Sequence, residues 1–203
     1  MSSDIAEAYR SAQERLSRLD WESAANRLGA RLEGRSVHVP FFGESHCIAA
    51  EGCQDGHGQP VTMAVGLVLY RYLFDFPGVL PPSDRLVTFR EIEDSGPLVA
   101  RFADNTHKTI ASHFAHDPAK LQEAARNLSA GIDTNRDGYD LLLSFTALPG
   151  LNLYLQFNGA EEGFPASAGL MFHRSSETFM GLQCLFILGT YLTGRLIGSD
   201  GSP

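Results

Sequence analysis

Between residues 139 and 173 the chain alternates apolar and polar residues with a period of two. That pattern leaves little room for anything but antiparallel strands. Leu151, Leu153, Leu155 and Phe157 alternate with Asn152, Tyr154, Gln156 and Asn158. One side of the segment is therefore apolar and the other polar, as a half-buried strand requires. Leu141, Leu143 and Phe145 repeat the alternation just upstream, and Leu148-Pro149-Gly150 supplies the turn between the two. Proline presets the φ of a turn's first central position and glycine accepts the positive φ of the second. A third strand is predicted over residues 169–172, after an acidic connection, Glu161-Glu162-Gly163-Phe164-Pro165.

A sheet with one apolar face needs a cover, and the sequence offers two. Residues 61–74 (VTMAVGLVLYRYLF) are apolar almost all round, which predicts a centrally buried helix. A final helix, capped by Ser175 or Ser176, carries an apolar stripe of Leu182, Leu185, Phe186, Leu192 and Leu196. The fold class predicted is α+β. It is a single domain over 1–198, with the 139–173 meander packed against the buried central helix and the C-terminal helix, and a flexible tail over 199–203. Strands and helices come in blocks rather than in strict alternation, which argues against a doubly wound sheet.

The remaining segments fill in the same picture. An N-terminal helical segment spans 3–28, with Asp20 as the cap of its second part and Gly29 as the stop. Val37, Val39 and Phe41 predict a strand, Phe42-Gly43-Glu44-Ser45 a turn, and residues 46–50 a second strand. Residues 52–60 read as a loop and 75–84, with three prolines, as a rigid one. A short strand is predicted over 85–92 and a helix between Pro97 and His116. A further helix starts at Asp117-Pro118 and runs to about Ala130, with Gly131 as its stop.

Composition narrows the function classes. With 43% hydrophobic and 20% charged residues the chain is an ordinary globular one, and its 203 residues bury a core without staples. A formal net charge of −8 and the lack of any basic run exclude a general nucleic-acid binder and give no support for docking to anionic membranes. Three cysteines, Cys47, Cys53 and Cys184, are too few for a disulfide framework and fit a reducing compartment. The N-terminus has no apolar core of a secretory signal. The expected location is the cytoplasm.

Six segments stand out together: Leu69-Tyr70-Arg71-Tyr72-Leu73, Thr88-Phe89-Arg90-Glu91, Gly138-Tyr139-Asp140, Ala147-Leu148-Pro149, the acidic connection at 161–165, and the junction from Leu170 to Ser176. In their order and spacing, from about Trp21 to Ile197, they resemble one family of bacteria and archaea, domain of unknown function 3786. The resemblance implies no activity that transfers. Some members of that family add a cysteine-rich segment like the iron-sulfur module of corrinoid methyl-transfer proteins. This chain has no run of four cysteines.

Four clusters carry chemistry-bearing side chains. His46, Cys47, Cys53 and His57 are zinc-type ligands within twelve residues, but their spacing is poor, and no metal is expected there. His113 and His116, with Asp117, would share a helix face; surface histidines near a helix end are the commoner explanation. Asp133, Asn135 and Asp137, with Gly138, match the first half of a calcium loop, whereas the twelfth position is Ser144 where a bidentate glutamate belongs. Glu161, Glu162 and Asp140 are the candidate acid and base residues, and Arg90, Glu91 and Arg174 the candidate ligand-binding ones. Paired carboxylates do acid–base work only in a pocket that separates their pKa values. No phosphate-binding glycine loop, nucleophile elbow or metalloprotease helix is present. Gly189 and Gly194 in the last helix are read as places of close packing.

The expectation is a non-catalytic binding or accessory domain for a small molecule or partner protein, acting through the face that carries the acidic loop and needing no cofactor. The rival is an enzyme using Glu161, Glu162 or Asp140 as acid and base, with one-carbon or corrinoid chemistry as the substrate class the resemblance hints at. A deep apolar pocket around these carboxylates favours the enzyme, and an open, exposed loop favours the binding module.

Overall fold

The computed structural model describes residues 2–80, 85–133 and 138–198. Two antiparallel sheets and a set of helices build an α+β fold. Helices α1 (Ser2–Leu16) and α2 (Trp21–Leu28) come first, then strands β1 (Arg31–Glu33), β2 (Ser36–Phe41), β3 (Glu44–Ala49) and β4 (Gly52–Gln54), paired in sequence order. Helix α3 (Met63–Asp75) leads to β5 (Leu86–Thr88). The helical stretch α4 (Val99–Ala103) and α5 (Thr109–Phe114) follows, joined by a π-turn over Asp104–Lys108. Helix α6 (Pro118–Asn127), strands β6 (Gly131–Asp133), β7 (Leu141–Leu148), β8 (Leu151–Asn158) and β9 (Ser167–His173), and helix α7 (Ser176–Gly198) complete the chain. The second sheet has the order β5-β9-β8-β7-β6.

The meander obeys its alternation. Leu143, Phe145, Leu153, Leu155, Phe157, Leu170 and Phe172 are all buried on one face. Gly150 takes φ 78° at the β7–β8 turn, and a Cβ there would stand 2.8 Å from the Phe76 ring, so both backbone and space demand glycine. Helix α3 is buried along most of its length and lies between α1 and α7. It reaches the meander through Tyr72, whose hydroxyl donates to the Pro149 carbonyl at 2.9 Å. Helix α7 touches α3 on one side and β9, α4, α5 and α6 on the others. It is long and apolar enough to cross a membrane by composition. However, 56% of its most apolar window is buried inside the molecule, as in a core helix.

Local signals explain the helix ends. Asp20 accepts from Ser23 N at 3.0 Å and Gly29 closes α2 with φ 59°. Asp117 accepts from Lys120 N at 2.9 Å with Pro118 at the first helical position. Arg27 of α2 donates to the carbonyls of Leu73 (2.6 Å), Phe74 (2.9 Å) and Phe76 (2.7 Å), filling the orphan acceptors at the end of α3.

Some boundaries differ from the sequence reading. The strand predicted over 85–92 stops at Thr88, because Glu91 folds back on Thr88 as a capping box and turns the chain into a 3-10 turn. Helix α6 ends at Asn127 rather than near Ala130, since Ser129 takes a left-handed φ of 56°. Gly131 is not a helix stop. It opens β6, where a Cβ would lie 2.5 Å from Ser144 Oγ. The loop read at 52–60 contains β4, and β1 was not expected. Both are three-residue edge strands, too short for a periodic signal. Two helical stretches merge in α7 across a break at Gly181. The 199–203 tail and residues 81–84 of the proline loop lie outside the described residues.

Candidate functional site

The end of β8 and the start of β7 are clasped by side chains. Asn158 Oδ1 accepts the Asp140 N–H at 2.9 Å, and its Nδ2 donates to the Gly138 carbonyl at 3.3 Å. Asp140 Oδ2 in turn accepts the Gly159 N–H at 2.7 Å. The chain then swings past the α5–α6 junction, where Ala160 donates its N–H to the Ala115 carbonyl at 2.7 Å. It closes at once into a tight turn in which Glu161 and Phe164 exchange both backbone hydrogen bonds at 3.0 Å. The acidic connection is thus a small rigid projection rather than a loose loop.

That projection and the β7 entry enclose an open cleft of about 490 Å³, with Tyr139, Asp140, Asn158, Glu161, Phe164 and Ser167 on its walls. Phe164 is 72% exposed and Tyr139 39% exposed, an unusual presentation for two aromatic rings on one rim. Asp140, Glu161 and Glu162 are exposed. Oδ2 of Asp140 is engaged by Gly159, and Oδ1 has no hydrogen-bond partner among the described residues. Asp140 and Glu161 are both exposed, so neither cleft carboxylate sits in an apolar enclosure. Glu161 and Glu162 form no ion pair with Arg90 or Arg174 among the described residues.

The other candidates fall elsewhere. Arg90, Glu91 and Arg174 lie at the far end of β9 from the acidic turn, roughly 20 Å along the strand. Glu91 Oε2 accepts from Thr88 N (2.8 Å) and Thr88 Oγ1 (3.0 Å), and Arg85 stands 3.3 Å from Oε1. The Thr88 backbone N–H, first, and its hydroxyl hold this carboxyl below the usual glutamate range. Arg174 donates to the Glu91 carbonyl and pairs with Glu177 at 3.3 Å. These two residues fasten β5 and the following turn to the start of α7. Arg90 is exposed, and its guanidinium has no partner among the described residues.

Register separates the zinc-type ligands. Ile48 pairs with Cys53 and Cys47 with Gln54, so Cys47 and Cys53 point to opposite faces of their sheet. Cys53 is buried, and burial pushes its thiol up to about 12. His46 faces inward with its Nδ1 3.0 Å from the Glu44 carbonyl. His113 and His116 are both exposed. Asn135 and Asp137 of the half calcium loop lie outside the described residues, and Asp133 sits on the edge strand β6. No group of three or more metal-type ligands comes together among the described residues. Sequence spacing gave no sign of the groove where α1, α3 and α7 meet, with Arg15 and Arg71 on its rim, because its residues come from three separate helices.

No curated protein and no solved structure matches the chain. One family model does match it, over residues 20–195, and its description is Domain of unknown function (DUF3786). The match takes in both sheets, α3, the acidic turn and most of α7, so the chain belongs to the DUF3786 family.

Proposed function

We propose that this protein is a binding module that takes a positively charged group, such as a basic side chain or an organic cation, in the cleft between Tyr139–Asp140 and the Glu161–Phe164 turn. The observation that carries the reading is Phe164, 72% exposed on a turn closed by two backbone hydrogen bonds and flanked by Glu161 and Glu162. A rigid exposed aromatic ring loses little entropy on contact. With Tyr139 also lining the cleft, it gives a cation a second ring to meet, each contact contributing about 0.5–1 kcal/mol at an exposed site. The carboxylates of Asp140 and Glu161 supply the charge, and the chain's overall acidity draws cations toward it. The rival acid–base reading has less support, since both carboxylates open to water. A cytoplasmic setting is consistent with three free thiols.

The test is a titration of the full chain with an acetylated, amidated Arg-Leu-Arg peptide, followed by the amide resonances of Tyr139, Gly159 and Phe164. Shifts confined to these residues, and lost in F164A and in E161Q/E162Q, are expected. Binding that survives all three substitutions would sink the proposal, as would the absence of shifts at millimolar peptide.

A further inference from the structure

A second concavity shares no residue with the acidic cleft. Where α1, α3 and α7 meet, a groove of about 330 Å³ opens between them. Its walls are mainly apolar: Ala8 and Ala12 from α1, Leu67 and Phe74 from α3, Met180 and Leu182 beside the break in α7. Two guanidiniums, Arg15 and Arg71, are the charged exceptions.

Both lean on one carboxylate. Arg71 Nε stands 3.1 Å from Asp75 Oδ2, and Arg15 Nη2 stands 3.5 Å from Asp75 Oδ1. Two positive charges therefore share one negative. Arg71 engages only its Nε, and its two terminal nitrogens have no acceptor among the described residues. The Arg15 guanidinium lies 4.1 Å from the centre of the Phe74 ring, which restrains it at the groove.

The third wall exists because α7 is interrupted. Gly181 has φ 69° and ψ 163°, a conformation open essentially to glycine alone. Arg71 Nη2 lies 3.9 Å from where a Cβ on Gly181 would stand, so the break brings backbone, not a side chain, up to the free guanidinium nitrogens.

We propose that this groove binds a small amphipathic oxyanion, its carboxylate or phosphate head held by Arg71 and Arg15 and its apolar body laid against Leu67, Phe74 and Met180. Small-molecule sites are mostly apolar concavities of about 300 Å³ or more with a few convergent polar groups. A planar guanidinium with two unengaged terminal nitrogens matches the fork of a carboxylate or phosphate.

Phenyl phosphate, phenylacetate and neutral benzyl alcohol, titrated separately into the full chain with the amide resonances of residues 181–184 followed, test this. At least one anion is expected to bind with a Kd of about 1 mM or tighter, and about tenfold more tightly than benzyl alcohol. The stronger of the two anions identifies the head group. R71Q should weaken the anion about tenfold while leaving benzyl alcohol unchanged. A8W, which fills the groove from α1, should abolish binding of both, and it decides the question if R71Q does not fold. Equal affinity for the neutral and charged probes would overturn the proposal. So would anion binding untouched by R71Q and A8W, or the absence of shifts at 181–184.

Discussion

His107 Nε2 accepts the backbone N–H of Leu170 at 3.0 Å, from a π-turn on one element to a strand edge on another. Strand β5 pairs only with residues 171–173 of β9, so the Leu170 N–H faces an uncovered edge. Leu170 is fully buried, and an unpaired donor there would be costly. The π-turn at Asp104–Lys108 widens the helix at this point, and its fourth residue is the histidine that closes the edge.

This contact predicts a pH dependence. Burial lowers the pKa of His107, and the contact requires an unprotonated Nε2. In the unfolded chain the imidazole titrates near about 6.5. The folded value lies below the unfolded one, so this contribution is intact above the unfolded pKa and is lost as pH falls through the folded one. The melting temperature should hold above about pH 7 and then fall. H107Q keeps an acceptor but does not titrate, and should remove that part of the slope. H107L should cost about 1–3 kcal/mol at neutral pH by stranding the Leu170 N–H. A denaturant series for the three proteins checks both points.

Helix α7 packs closely at Gly189. A Cβ there would stand 2.6 Å from Phe102 Cε2, and Phe102 is itself stacked on Phe89 with ring centres 4.0 Å apart. The ring has no room to retreat, so G189A should destabilise by about 1–3 kcal/mol. Gly194 has open space beside it, and G194A should be neutral or slightly stabilising. Equal effects from the two substitutions would contradict this packing.

Arg27 reaches across from α2 to three carbonyls at the end of α3. R27M should lose about 2–4 kcal/mol, because part-buried acceptors are left without a charged donor. R27K should recover only part of that, since an ammonium lacks the fork that spans several acceptors. Chemical denaturation reads both values.

The acidic turn should behave in the opposite way. Glu161 and Glu162 are exposed and form no ion pair among the described residues, so E161Q/E162Q should change stability by no more than about 0.5 kcal/mol. A marked fall in melting temperature would mean that the turn holds the fold together, and the binding role would then be withdrawn.

Cys53 and Cys184 are buried, with burial pushing both thiols up to about 12, while Cys47 is partly accessible. A neutral-pH thiol titration of the native protein should therefore label Cys47 first, and the other two only on unfolding.

Much of the fold was written locally. Alternation over 141–157 settled which residues of β7 and β8 are buried, because a one-residue slip would turn the whole apolar set to water. Asp20, Gly29, Asp117 and Pro118 marked helix ends because a cap satisfies its own neighbouring backbone. The nearly all-round apolar character of α3 announced a buried helix. The acidic turn too was visible as an exposed connection.

Tertiary structure decided the rest. Short edge strands β1, β4 and β6 hold three residues each and exist because a longer partner pairs with them. The separation of Cys47 from Cys53 depends on register, which spacing alone does not give. Asp140 and Glu161 share a cleft because β7 and β8 pair antiparallel, which brings the start of β7 beside the end of β8, whereas Arg90, Glu91 and Arg174 are carried to the opposite end of β9. The groove of Arg15 and Arg71 appears only when three helices meet. A sequence states the period and the caps of each element, which are near-neighbour properties. Which distant side chains then share one concavity is set by how those elements pack.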